Sequence, residues 1–329
     1  MLTALGSLGD LHPYIAIALG LKARGHEAIV ASGECYRQKI EALGLGFRAL
    51  RPNCDFTTDP RVMRRIMHPR FGLLRVGREL ILPALRDTYE DTLAAAEGAD
   101  LLVSHPLAAY STRLVAEKTG IRWVSTMPAP LGFFSAHDRT VLPLAPVLFE
   151  KLRFLGPAFL GSVLRLSMRA TRFVARPWYR LRAELDLPPT AEPNPLGDSH
   201  SPLLVLAPFS KQFADKQPDW PPQTVVSGFP LYDGDAGAGL PPELARFLDE
   251  GPPPIVFTLG SAVSAAAGSY FEHSAAAAKL LGRRAVLVLK NSANRPAVLP
   301  EGVLAFDYVR FSAIFPRAAA IVHHGGIGT

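Results

Sequence analysis

The chain has 329 residues, 48% of them hydrophobic and 19% charged, with a net charge of +6. That length suits two domains, and that balance supplies enough apolar material for sizeable cores, so global disorder is excluded. The excess charge is mostly arginine between Arg51 and Arg182, without a compact basic block or basic–aromatic repeat. This argues against nucleic acid and leaves a solvated basic face, or attraction to anionic headgroups or phosphorylated substrates. Two cysteines, Cys35 and Cys54, make neither a disulfide framework nor a metal cluster, a count that fits a reducing compartment. No signal-like start and no apolar run of about 18 residues is present. A cytoplasmic protein is expected, with peripheral contact at the inner membrane face left open.

Leu2 to Leu5 reads as a short strand, followed by a turn at Gly6-Ser-Leu-Gly-Asp10 and a helix from Leu11 to Ala23 that Gly25 stops. A second strand, Glu27 to Ala31, completes a strand–glycine turn–helix–strand unit, the opening of a parallel doubly wound sheet. Glu34–Ala42 predicts a helix and Phe47–Leu50 a strand; residues 52–88 read as loops with one helical stretch. Further strands are expected at 100–104, 122–125 and 203–207, with a helix over 108–118. The Pro-, Gly- and Phe-rich stretch 128–146 reads as a cleft-lining loop. Residues 149–182 alternate apolar residues with arginines on a helical period. The strongest composition break lies at 218–252, which divides the chain into an N-terminal domain (1–217), a linker (218–252) and a C-terminal domain (253–329). The last domain restarts with a strand at Ile255–Leu259, a turn at Gly260-Ser261 and a helix at 269–281. Strands at 285–289, 304–306 and 320–322 follow, and the last opens onto His323-His-Gly-Gly-Ile-Gly-Thr329.

Glycines at a strand end let backbone N–H groups approach an anion closely, and a following helix adds its positive end. The turns at Gly260-Ser261 and at His323, Gly325, Gly326 and Gly328 therefore suit a phosphate or pyrophosphate, with histidine as a further donor. The chain stops at Thr329, where that helix should begin, so the C-terminal domain is expected to be incomplete. At the first turn, an acceptor-side turn with Ser7 and Gly9, the two glycines Gly6 and Gly9 could cradle a phosphate, but the third glycine of a dinucleotide fingerprint and the lysine of a P-loop are lacking. The same turn could instead present Asp10 or His12 as a base toward a cleft. Asp10 fits a helix N-cap equally well, and His12 fits an exposed helix start. Ser104-His105 ends another strand on the same sheet edge, where His105 could contact substrate or assist Asp10. No His/Cys/Asp spacing suggests a metal.

Gly6-Ser-x-Gly-Asp-x-x-Pro13, Gly25-His-Glu27, Gly260-Ser261 and His323-His-Gly-Gly-x-Gly-Thr329 together resemble glycosyltransferase family 1. Within it, Asp219-Trp-Pro-Pro, Gly228-Phe-Pro-Leu-Tyr-Asp-Gly234 and Arg246-Phe-Leu-Asp-Glu-Gly251 resemble the rhamnosyltransferase type of rhamnolipid synthesis and the bacterial sterol and antibiotic glycosyltransferases. The resemblance implies an α/β GT-B fold, two facing Rossmann-like doubly wound domains with the second incomplete here. It implies no cofactor and no metal, and an inverting transfer of a hexose, rhamnose or glucose in type, from a UDP- or dTDP-sugar. The partner would be a hydroxyl on a small hydrophobic acceptor, lipid-like or a secondary metabolite. Carried over by position, Asp10 falls on the general base, and His323, with His324 beside it, Gly325 and Gly326 on the pyrophosphate contact. Gly260-Ser261 falls on the second phosphate turn, and Tyr308-Val309 where an aromatic ring stacks on the base and the next backbone group reads its edge. Ser104-His105 stand where plant members keep an aspartate, Tyr308 replaces a tryptophan and Arg310 a proline. The acidic–glutamine pair that grips the sugar lies past Thr329. Two other readings stay open: a non-catalytic nucleotide-sugar-binding or activator subunit, and a nucleotide-sugar epimerase.

Overall fold

The computed structural model describes the chain except residues 54–58, 139–145, 191–193, 196–198 and 235–238. Two compact units divide it, with the main boundary between Leu231 and Tyr232. Among the described residues, eleven strands form two all-parallel sheets, one in each unit.

The first sheet contains β1 (Leu2–Thr3), β2 (Ile29–Ser32), β3 (Gly46–Ala49), β4 (Leu101–Ser104), β5 (Arg122–Thr126), β6 (Val205–Ala207) and β7 (Thr224–Val226). Its order is β3-β2-β1-β4-β5-β6-β7. Leu2 lies opposite both Val30 and Val103, and Thr3 opposite Ala31 and Ser104, so the shortest strand sits in the middle of the sheet. The second sheet contains β8 (Ile255–Thr258), β9 (Ala285–Val288), β10 (Val303–Phe306) and β11 (Ala320–His323), in the order β10-β9-β8-β11. The orders share one plan. Successive strands run outward on one side of the first strand, then the chain crosses to its other side. The place where the direction reverses opens a crevice at the carboxyl ends of the two diverging strands, and ligands of such sheets bind there. The crevices lie between β1 and β4, and between β8 and β11.

The apolar runs of parallel strands pack against helices on the sheet faces, as strands buried on both sides require. In the first unit Leu102, Leu114, Val115, Trp123 and Trp178 form one core cluster, and Phe133, Val205, Phe209 and Trp220 another. In the second, Phe257, Phe271 and Leu287 pack on one side and Leu244, Val256, Val286 and Ile314 on the other. One ionic cluster lies at the margin of the first core, with buried Arg113 and Arg182 reaching an exposed Glu117. Glu117 binds Arg113 Nε at 2.8 Å and also binds Arg182, and both guanidinium groups lie 5.4 Å from the Trp178 ring. The Trp178 indole in turn donates to the Tyr110 carbonyl at 3.0 Å.

Several elements differ from the sequence reading. The first helix starts at Leu8, which puts Asp10 in its first turn rather than at the cap. The amphipathic stretch 149–182 breaks into helices Pro146–Leu152, Gly156–Ala170 and Arg176–Glu184, separated by 3-10 turns at Arg153–Leu155 and Arg172–Ala175. Gly156 has φ +82°, a conformation that stops the preceding turn. The loop reading of 52–88 gives way to helices Pro60–Ile66, Gly72–Arg75 and Leu85–Ala95, with a π-helical turn at Val76–Ile81. Within 218–252 lie β7 and helix Pro242–Asp249; the β-branched run Thr224-Val-Val is masked in the sequence by its proline-rich flanks. Cys35 is disulfide-bonded, against the expectation of a reduced pair. Among the described residues, no helix is long and apolar enough to cross a membrane.

Candidate functional site

The crevice between β1 and β4 gathers residues that are far apart in sequence. Asp10, two residues into the helix after β1, lies 3.4 Å from His105 Nε2, just past β4. His105 is the N-cap of helix Pro106–Thr119, and its Nδ1 accepts the Leu107 amide at 3.2 Å. A ring nitrogen that accepts an N–H carries no proton, so the neutral imidazole holds its proton on Nε2, directed at the Asp10 carboxylate. The ring is 3% exposed. Tyr14 packs edge-on against it with centroids 5.6 Å apart.

Gly6 completes the carboxylate's seat. Its φ of +127° lies in the left-handed half of the map, and a Cβ there would stand 2.4 Å from Asp10 Oδ2. Only a residue without a side chain lets Asp10 lie flat on the turn. Tyr36 donates its hydroxyl to the Gly6 carbonyl at 3.0 Å, fixing the turn from β2's side. Burial, helped by the Asp10 charge, pushes the Tyr36 phenol up to about 12. Burial raises the Tyr14 phenol too, and its hydroxyl bonds Thr126. Behind the site the strand ends carry hydroxyls that bond one another. Thr3 meets Thr112 at 3.1 Å, Trp123 donates to Ser104 at 2.8 Å, and Thr126 donates to the Ser104 carbonyl at 3.0 Å. Such satisfied buried networks hold strand ends rigidly. Ser7 and His12 flank the turn half-buried, and Gly9 is exposed.

The crevice between β8 and β11 joins the two C-terminal turns. Register pairs His323 with Thr258, so the residues after each strand meet. His324 lies between two glycines: a Cβ on Gly260 would come within 2.7 Å of its Cε1, and one on Gly326 within 2.4 Å of its Nε2. His323 is exposed and accepts the Gly325 amide on Nδ1 at 3.2 Å, which leaves its proton on Nε2. Partial shielding, then the adjacent His323, lowers the His324 pKa and so favours its neutral form. Thr329 N donates to the Gly326 carbonyl at 3.1 Å, closing a turn through Gly328. Ser261 follows Gly260 in the short helix Gly260–Val263, its side chain outside the described residues.

Val309 is buried, whereas the Tyr308 ring is 47% exposed, with Lys290 Nζ 4.3 Å from its centroid. The Tyr308 hydroxyl donates to the Asp233 carbonyl, and the Asp233 carboxylate accepts the Ser312 amide at 2.8 Å. Sequence reading missed Tyr36, Asp233 and the close-approach role of Gly6. No periodicity marks a residue that acts by contact with a turn 30 positions away. Among the described residues no metal-holding group of three His, Cys, Asp or Glu occurs. A pocket of about 350 Å³ lined by Arg78, Leu82, Pro83, Phe173, Val174 and Pro177 includes none of the predicted site residues.

The chain matches no family model. It is 33% identical to O-mycaminosyltylonolide 6-deoxyallosyltransferase of Streptomyces fradiae and 30% identical to glycosyltransferase GtfE of Amycolatopsis orientalis, over all of this chain and 76% of each relative. Among solved structures, Streptomyces sp. SF2575 glycosyltransferase SsfS6 complexed with thymidine diphosphate matches with TM-score 0.62 at 22% identity, over 99% of this chain and 76% of that one. That likeness shows the α/β GT-B fold. With its two parallel sheets and a relative at this identity, the chain belongs to the glycosyltransferases of the group that includes macrolide, glycopeptide-antibiotic and sterol glycosyltransferases.

Proposed function

We propose that this glycosyltransferase moves a hexose, with inversion, from a nucleoside diphosphate-sugar to a hydroxyl of a small hydrophobic acceptor. The observation that carries the proposal is the Asp10 carboxylate seated between Gly6 and His105 at the first crevice. Asp10 takes the acceptor hydroxyl proton. The freed oxygen forms a bond to the anomeric carbon from the face opposite the leaving group, and the bond from that carbon to the diphosphate oxygen breaks. The Nε2 proton of His105 directs one carboxylate oxygen and leaves lone pairs of the other available. His12 stands beside the base as an auxiliary polar group.

On the second unit, His323 and the amides of Gly325, Gly326, Gly328 and Thr329 meet the diphosphate as charge develops on it, with Gly260 and Ser261 at the facing turn and His324 neutral between them. These groups supply the stabilisation without a metal. Tyr308 offers its open ring face to the base, and the Val309 backbone its edge. Neighbours complexed with thymidine diphosphate support a dTDP donor, with UDP the other candidate. Relatives named for a macrolide, a vancomycin aglycone and a sterol support a small hydrophobic hydroxyl acceptor, a secondary metabolite or lipid-like, and a donor sugar of the deoxyhexose or glucose type.

Asp10→Asn tests the reading. It keeps the shape and removes the base, so kcat should fall by about 10²–10⁴ while donor binding holds. Unchanged turnover would remove Asp10 from the mechanism.

A further inference from the structure

The residues 146–184 hold eight Lys and Arg against two Glu, a net +6 that equals the net charge of the whole chain. The remainder is therefore neutral overall, and the basic excess is local. The same segment exposes large apolar side chains: Phe154 is 83% exposed, Leu166 68%, Leu155 42% and Phe159 41%. Spacing places them together. Leu155, Phe159 and Leu166 stand at i, i+4 and i+11 along helix Gly156–Ala170 and the residue before it, one stripe of the helix surface. Arg165, Arg169 and Arg172 follow the same repeat on the adjoining stripe, all exposed, and Arg165 is steadied by Ser162 at 2.9 Å. The opposite face is the one the fold uses: Leu160 and Leu164 are buried and pack with Ala136, in the loop after β5. The helix thus lies beside the carboxyl edge of the first sheet, the edge that holds Asp10 and His105.

A helix with a buried face, an aromatic–leucine stripe and an arginine stripe beside it has the layout of an element that lies in a bilayer interface. There the apolar stripe enters the acyl boundary and the cations meet phosphate headgroups. We propose that helix Gly156–Ala170, with Phe154 leading it, docks this glycosyltransferase peripherally onto anionic phospholipid bilayers. Charge complementarity selects that occupant, because a neutral apolar partner gives no role to a stripe of arginines. Docked in this way, the first unit presents its carboxyl edge near the surface into which a hydrophobic acceptor partitions.

The test is co-sedimentation of the whole chain with phosphatidylcholine vesicles made with and without phosphatidylglycerol, at low and high salt and without donor or acceptor. Binding is expected only with phosphatidylglycerol and should weaken at high salt. Two variants separate the stripes: Phe154→Ser with Phe159→Ser and Leu166→Ser, and Arg165→Glu with Arg169→Glu. Each should weaken partitioning by roughly tenfold or more, since each cation near such a surface contributes about fivefold and each large apolar side chain that enters the acyl boundary about as much. Their melting temperatures report that the fold is kept. Wild-type protein that stays in the supernatant, or variants that bind as well as wild type, overturn the proposal. A vesicle-free dimer that the serine variant dissolves also overturns it, in favour of an interface between two copies.

Discussion

The two crevices are built on one strand order and filled in opposite ways. Between β1 and β4 the polar groups are side chains, each seated by a contact from another element: Gly6 beneath the Asp10 carboxylate, His105 at its side, Tyr36 on the turn. Between β8 and β11 the glycines Gly325, Gly326 and Gly328 bring the backbone to the surface, and the histidine expected to meet a ligand, His323, is exposed. The difference suits the chemistry proposed for each. A base must hold one lone pair in one direction, which takes a fixed side chain. A diphosphate presents many oxygens, which backbone amides can meet without a fixed side chain.

That contrast can be broken experimentally, beginning below the Asp10→Asn effect. Gly6→Ala would force the carboxylate off its seat in a backbone conformation that alanine resists. A loss of about 1–3 kcal/mol in stability and roughly tenfold or more in kcat is expected. Full activity in that variant would show that Asp10 needs no fixed seat. His323→Ala should act on the other quantity, raising the donor Kd by about ten- to a hundredfold, the worth of a hydrogen bond to a charged group, with the acceptor KM held. A kcat loss with unchanged donor Kd would place His323 outside donor binding. His105→Asn preserves an N-cap acceptor while withdrawing the proton from Asp10. Stability should hold, kcat should drop roughly tenfold, and the acid limb of the pH–rate profile should move. His105→Ala should cost about 1 kcal/mol of stability as well. An unaltered pH profile in the asparagine variant would assign His105 to capping alone.

The smallest effect lies away from both crevices. His200 stacks on Phe133 with centroids 5.5 Å apart, and burial pushes its pKa down to about 4. As pH falls below the unfolded value near 6.5, the unfolded chain gains a proton that the native ring refuses. Stability is therefore whole above that value and declines toward pH 4, by about 1 kcal/mol between pH 7 and 5 once partial exposure is allowed for. Urea titrations of wild type and His200→Phe should diverge over that window, and parallel curves would acquit the residue.

Strand–glycine turns at both ends of the chain were legible because small residues after apolar runs leave a local signature. That Asp10 and His105 share one sheet edge was also readable, since both follow strands of one parallel sheet. What escaped was non-local. Tyr36 reaches Gly6 across 30 positions, and Asp233 seats Tyr308 and Ser312 from within a stretch read as linker. The period of 149–182 hid two breaks, because its arginines and leucines continue in phase through Gly156 and Thr171. No residue pattern reveals that Gly6 carries a positive φ; that follows only from where Asp10 must lie.

The ionic cluster around Trp178 has a mechanical consequence for the first crevice. Arg–Glu–Arg groupings with buried guanidinium groups often add little net stability over well-packed apolar residues, yet their geometry can restrict the alignment of the elements that carry them. Here Glu117 belongs to the helix that His105 caps, and Arg182 to helix Arg176–Glu184. The Glu117–Arg182 pair ties two helices together, and the imidazole that faces Asp10 caps one of them. An apolar replacement of Arg182 could therefore leave the melting temperature untouched and still detune the enzyme, by letting that helix slide.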